Sequence, residues 1–125
     1  MKELTKAEEQ IMKILWNIEK GVIHDIIKEM DAPKPAYNTV STIVRILETK
    51  GFIGHKAYGK TYEYFPLIAK KKYTHFYLNQ MLNGYFSGSI NQLVSFFAKE
   101  NELDVSELEQ LIENAKSSNQ SQSDD

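Results

Sequence analysis

The feature that most constrains this chain is a change of apolar period after residue 50. Before it, apolar side chains recur at helical spacing. Thr5 and Glu8 have capping-box spacing and open a first helix. Ile11, Ile14, Leu15 and Ile18 then fall at i, i+3, i+4 and i+7, and Gly21 reads as the stop. Ile23, Ile26, Ile27 and Met30 repeat the spacing in a shorter helix, which cannot pass through Pro33 and Pro35. Val40, Ile43, Val44 and Leu47 make a third stripe, ended by Lys50-Gly51. After that the period is lost. Residues 52–57 (FIGHKA) and 61–66 (TYEYFP) are short and β-prone, and Tyr58-Gly59-Lys60 between them reads as a hairpin turn. A lone hairpin is barely stable, so it must lean on the helices before it.

Three helices followed by a two-stranded wing predict a mainly α fold with an N-terminal winged helix-turn-helix over residues 1–68. Helical spacing resumes beyond Pro66, with breaks at Gly84 and Gly88, and residues 69–115 read as a helical dimerisation region. From Lys116 the sequence KSSNQSQSDD is polar and low in complexity, and 116–125 reads as a disordered tail.

The net charge of −2 conceals an uneven distribution. Residues 1–72 carry 13 Lys/Arg against 9 Asp/Glu, whereas residues 73–125 carry 2 against 8. The excess is steepest over 33–72, with 8 basic and 2 acidic side chains, a segment that would attract a polyanion. On the third helix, steps of 100° place Asn38, Thr42, Arg45 and Thr49 opposite the apolar stripe, flanked by Thr39 and Ser41. Ser and Thr are weak helix formers, so helix stability does not explain this face. Small hydroxyls and an amide permit close approach to a groove, and arginine can take guanine bidentately. Asn38, Thr39, Ser41, Thr42 and Arg45 are therefore the expected base-reading residues. Lys34 and Lys50 bracket that helix, and His55, Lys56, Tyr58 and Lys60 lie on the wing. These are the expected backbone contacts, which position a protein without reading sequence. Ile46 lies off the buried stripe and either packs against the wing or meets DNA.

The C-terminal helices carry large apolar side chains on about 45 ordered residues, too few to sustain a core alone. Pairing with an identical segment would bury them, and two-fold dimers are the commonest solution. Tyr73, Phe76, Tyr77, Met81, Leu93, Phe97, Leu108 and Leu111 are the expected interface, and a dimer would suit a palindromic site on double-stranded DNA.

No enzyme is expected. His24, His55 and His75 are scattered, and no phosphate loop or spaced carboxylate pair occurs. With no cysteine there is no thiolate metal site, and no cofactor is expected. Trp16 and Tyr62 read as core and wing packing. No apolar run is long enough to insert in a membrane and the N-terminus lacks a signal's apolar stretch, so a cytoplasmic location is expected. Two alternatives stay open: a winged helix that binds protein, and a regulator that activates or answers to a small ligand.

The segments LTKAEEQIMKILW (4–16), TVSTIVRILETKGFI (39–53), HKAYGKTYEYFPLI (55–68) and FFAKENELDVSELEQLI (96–112) resemble, in order and spacing, the penicillinase repressor family of BlaI/MecI-type transcriptional regulators. The likeness runs from about Leu4 to Ala115. It implies a homodimeric repressor whose third helix reads an operator. It also implies a membrane-bound sensor metalloprotease, encoded nearby, that causes the repressor to be cut in its C-terminal helices. The sequence departs from the family twice. The family's Leu-Asn-Phe cleavage stretch is Ser95-Phe96-Phe97 here, which puts the corresponding cut between Phe96 and Phe97. The family's usual arginine falls where Ile46 stands, with Arg45 one step earlier, so the family's base preference does not transfer.

Overall fold

The computed structural model describes residues 1–121. Its elements are α1 (Lys6–Ile18), α2 (Ile23–Lys28), α3 (Tyr37–Thr49), β1 (Ile53–Tyr58), β2 (Thr61–Pro66), α4 (Lys70–Tyr85), α5 (Ile90–Glu100) and α6 (Val105–Ser121). They form two compact units, Met1–Leu78 and the residues from Asn79 onward, with the division inside α4.

In the first unit, Thr5 caps α1 as its sequence requires. The Thr5 hydroxyl accepts the Glu8 amide at 3.1 Å, and the Glu8 carboxylate accepts the Thr5 amide at 2.8 Å. Ile11, Met12 and Leu15 then face α2, α3 and the wing in one core with Ile26, Val44, Leu47 and Phe52. The α1 stripe is thus turned slightly from the predicted one, with Ile14 and Ile18 at its partly buried margin. The start of α4 joins the same core. Tyr73 is 6% exposed, meets Phe52 edge-on at 5.8 Å, and donates its hydroxyl to Glu9 at 2.9 Å. Burial and that bond raise the Tyr73 pKa well above the ordinary tyrosine value. Tyr73 was expected at a dimer interface; it is a core residue of this unit, and Phe76 packs beside it. Trp16 is core packing as read, its indole N–H donating to the Ile68 carbonyl at 2.8 Å.

The wing is an antiparallel hairpin registered from Ile53↔Pro66 to Tyr58↔Thr61, so Gly59-Lys60 is a two-residue turn. Gly59 takes φ 65°, as a type II′ turn asks of its first central residue. Gly21 does not end α1; Glu19 takes the left-handed position at φ 74°. Gly21 instead bridges β2, exchanging amide bonds with Tyr64 at 3.0 and 2.8 Å. This ties the wing to the α1–α2 connection.

Lys50, expected to meet DNA, is held inside the unit. Its ammonium lies 2.8 Å from the Glu8 carboxylate, which is 5% exposed. Burial alone would raise the Glu8 pKa. The Lys50 and Thr5 hydrogen bonds and the Lys50 charge outweigh it, leaving Glu8 below the ordinary glutamate value. The unfolded chain therefore takes up this proton first, and acid favours unfolding. The contribution is fully present above the ordinary carboxylate range and is lost as the pH falls through the lowered value. We predict that the urea midpoint drops between about pH 6 and pH 3, and that Glu8→Gln flattens part of that drop. An unchanged slope in the variant would remove the pair from the acid response.

In the second unit, Ser89 caps α5 by accepting the Gln92 amide at 3.1 Å, and Asp104 accepts the Glu107 amide at 2.8 Å before α6. Gly88, at φ 76°, ends the turn after α4, while Gly84 lies within the helix. Among the described residues of this unit, Leu82 is the one buried hydrophobic side chain. Tyr85, Ile90, Phe96, Phe97, Leu111 and Ile112 are exposed. Met81, Leu93 and Leu108 are half-buried. The helix α6 runs to Ser121, because the stretch after Ala115 holds no proline or glycine to stop it. The rest of the expected tail, residues 122–125, lies outside the described residues.

Candidate nucleic-acid interface

The α3 helix has no acid in its first turn, and of its 13 residues only Glu48 carries a carboxylate. Asn38, Thr39, Thr42, Arg45 and Thr49 are all exposed. The hydroxyls of Thr42 and Thr49 donate to the carbonyls of Asn38 and Arg45, at 2.8 and 3.0 Å. Their protons are thus used within the helix, and the threonines present methyl groups and acceptor oxygens outward. A thymine methyl or an exocyclic amine suits such a surface. Ile46 is 42% exposed, so it does not pack away against the wing.

Ser41 departs from expectation. It is 7% exposed, and the buried stripe is Val40, Ser41, Val44 and Leu47, with Ile43 at its margin. The stripe is rotated toward the side of α3 that faces α2, where Ser41 lies at the floor of a cleft. Ser41 is therefore a support rather than an exposed reader. The Arg45 guanidinium reaches its hydroxyl at a long 3.4 Å. Arg45, Lys60, Tyr37 and His24 line one cleft of about 320 Å³ between α2, α3 and β2, floored by Ser41 and Tyr64. The cleft was not legible in the sequence, since it joins residues from three separate segments.

On the wing, Lys56, Tyr58 and Lys60 are exposed. The Lys56 ammonium sits 5.4 Å from the Tyr58 ring centroid, and no ion pair of Lys60 occurs among the described residues. Lys34 is used differently from its expected role. Its ammonium donates to the carbonyls of Lys28 and Met30, closing the open C-terminal end of α2. His55 bonds the Glu48 carboxylate through Nδ1 and stacks on Tyr62 at 4.1 Å. The fold thus leaves Asn38, Thr39, Thr42, Arg45, Lys56, Tyr58 and Lys60 exposed, brings Arg45 and Lys60 to one cleft, and engages Lys34, Lys50 and His55 with partners in the same unit.

Residues 4–117 match the family described as penicillinase repressor. The chain is 28% identical over 110 residues to the methicillin resistance regulatory protein MecI of Staphylococcus aureus, spanning 87% of this chain and 89% of that protein. It is 26% identical over 118 residues to the penicillinase repressor of Bacillus licheniformis, spanning 91% and 92%. The solution structure of the DNA binding domain of the repressor BlaI covers 58% of this chain and 94% of its own, at a TM-score of 0.50 and 27% identity.

Proposed function

The chain belongs to the penicillinase repressor family, and we propose that it represses transcription by seating α3 in the major groove of a palindromic operator as a homodimer. It is a repressor and not an enzyme. The observation that carries the DNA-binding mode is the outward face of α3: exposed Asn38, Thr39, Thr42 and Arg45, with the one carboxylate of the helix engaged by His55. That face has the groups that read base edges, and Arg45 is the guanidinium for guanine. Lys56, Tyr58 and Lys60 supply the wing's backbone contacts. A reporter driven by the promoter upstream of the protein's own gene tests the reading: expression of the protein lowers output, and unaltered output contradicts it.

Lys60→Ala should weaken binding to all duplexes alike and reduce the magnitude of the logarithmic salt slope by about 1, as loss of one phosphate contact does. A loss confined to one operator would instead make Lys60 a base reader.

Pairing through the second unit is supported by its apolar exposure. A unit with Leu82 as its one buried hydrophobic among the described residues gains little stability alone, and a twin would cover Phe96, Phe97 and Leu111. Phe97→Glu should shift sedimentation toward monomer and, with it, weaken binding to a two-half-site operator. A dimer that persists places the interface elsewhere. No described helix is long and apolar enough to cross a membrane. Relief of repression by a paired membrane-bound sensor metalloprotease is the corresponding proposal for induction, with the cut between Phe96 and Phe97 on α5.

A further inference from the structure

We propose that His55 is a positioning residue that holds the Glu48 carboxylate away from Arg45 and from the nucleic acid, an inference that rests on α3 being the DNA-reading helix.

Glu48 is an awkward residue for such a helix. It is the one acid on α3, and it stands three positions after Arg45, where helical side chains are neighbours about 5–6 Å apart at Cβ. A free carboxylate there would do two things. It would repel the phosphates, and it would pair with the guanidinium that the groove needs unpaired. The pairing with Arg45 does not occur among the described residues, and Glu48 is instead bonded to His55 Nδ1 across the gap between helix and wing.

His55 is itself fixed. Its ring lies on Tyr62 at 4.1 Å with the planes 9° apart, and it meets Tyr64 edge-on at 5.9 Å. The register pairs His55 with Tyr64 across the hairpin, so both anchors come from β2. Both members of the pair keep 31% of their side-chain surface, so the carboxylate is sequestered at the rim of the interface rather than in the core. The Tyr64 hydroxyl lies in the field of both charges. Burial raises its pKa most, Glu48 raises it further, and Arg45 acts in the opposite direction.

The arrangement gives His55 a role other than the phosphate contact its position on the wing implies. A phosphate contact, a wing prop and a carboxylate holder all predict that His55→Ala weakens binding. They differ over a second change. If His55 acts by holding Glu48, removing the carboxylate makes the histidine dispensable.

The test measures operator affinity by fluorescence anisotropy for the full chain, His55→Ala, Glu48→Gln and the double variant, with thermal melts of each. His55→Ala should lose roughly tenfold, within the range for compromising one arginine–guanine contact. The double variant should return to within about twofold of the parent, a rescue that independent, additive sites would not give. Glu48→Gln alone should bind at least as tightly as the parent. A double variant as weak as His55→Ala, or a His55→Ala variant that binds like the parent, overturns the proposal. Should His55→Ala not fold, Glu48→Gln decides: binding at least as tight as the parent's upholds the role and weaker binding, which would make Glu48 a contact, overturns it. A parent that prefers no duplex overturns the DNA-reading proposal, and this one with it. A parent that binds while the double variant stays weak overturns this one alone.

Discussion

Arg45→Ala should weaken operator binding by about 1–3 kcal/mol, roughly five- to more than a hundredfold in Kd, and should narrow the preference for operator over unrelated duplex. The fold barely depends on this side chain. It is exposed, and its one side-chain hydrogen bond among the described residues, to Ser41, is 3.4 Å long. Thermal melting and sedimentation should therefore match the parent, so the loss reports on recognition alone. The structure also says which duplexes should suffer. A guanidinium reading a base edge loses affinity on its operator and little on unrelated DNA, whereas a phosphate contact loses on both. Titrating both duplexes separates the two. Equal losses would move Arg45 to the backbone-contacting group, and unchanged affinity would remove it from the interface.

Phe52→Ala should cost about 3–5 kcal/mol, the range for deleting a buried phenyl ring. Phe52 is 1% exposed and sits where α3 hands over to β1, with its amide bonded to the Leu47 carbonyl and its carbonyl taking the Leu67 amide. Its ring meets Tyr73 and closes the core that α1, α3 and the wing share. Small domains are stable by only about 5–15 kcal/mol, so this variant forfeits a large part of the total. At about 4–8 °C per kcal/mol, Tm should fall by roughly 12–40 °C. DNA binding should fail at the temperature where the unit melts rather than through a changed contact. A melting point near the parent's would show that the core closes without Phe52.

Much of this architecture was legible because the signals are local. The switch from helical stripes to a Gly-centred hairpin fixes the first unit's order of elements, and both strands lie within one residue of expectation. The misses are non-local or rotational. The Gly21–Tyr64 bridge joins residues far apart in sequence, and nothing near Gly21 distinguishes a bridge from a helix stop. Ser41 looks outward on a helical wheel drawn from apolar residues alone, because a wheel cannot register that its side of α3 faces α2 and the floor of a cleft. Tyr73 reads as part of a continuous apolar band in the C-terminal helices, yet α4 begins in one unit and ends in the other.

The candidate interface was legible to the same degree. The polar face of α3 and the wing's Lys56 and Lys60 follow from period and turn, and the structure leaves them exposed. Three basic or ionisable residues are engaged by partners that charge counting cannot see. Lys34 closes the carbonyl end of α2, Lys50 neutralises the buried Glu8, and His55 takes Glu48. A basic segment thus overstates the charge available to DNA.

Sequence-preferring DNA binding is tested most directly by a gel-shift titration of the full chain. One duplex comes from upstream of the protein's own gene and one is unrelated, each run at low and high salt. We predict a shift of the upstream duplex at the lower protein concentration, with affinity falling steeply as salt rises because bound counterions are released. The unrelated duplex should shift only at higher concentration. No shift of either duplex at low salt would contradict the account and favour a winged helix that binds protein.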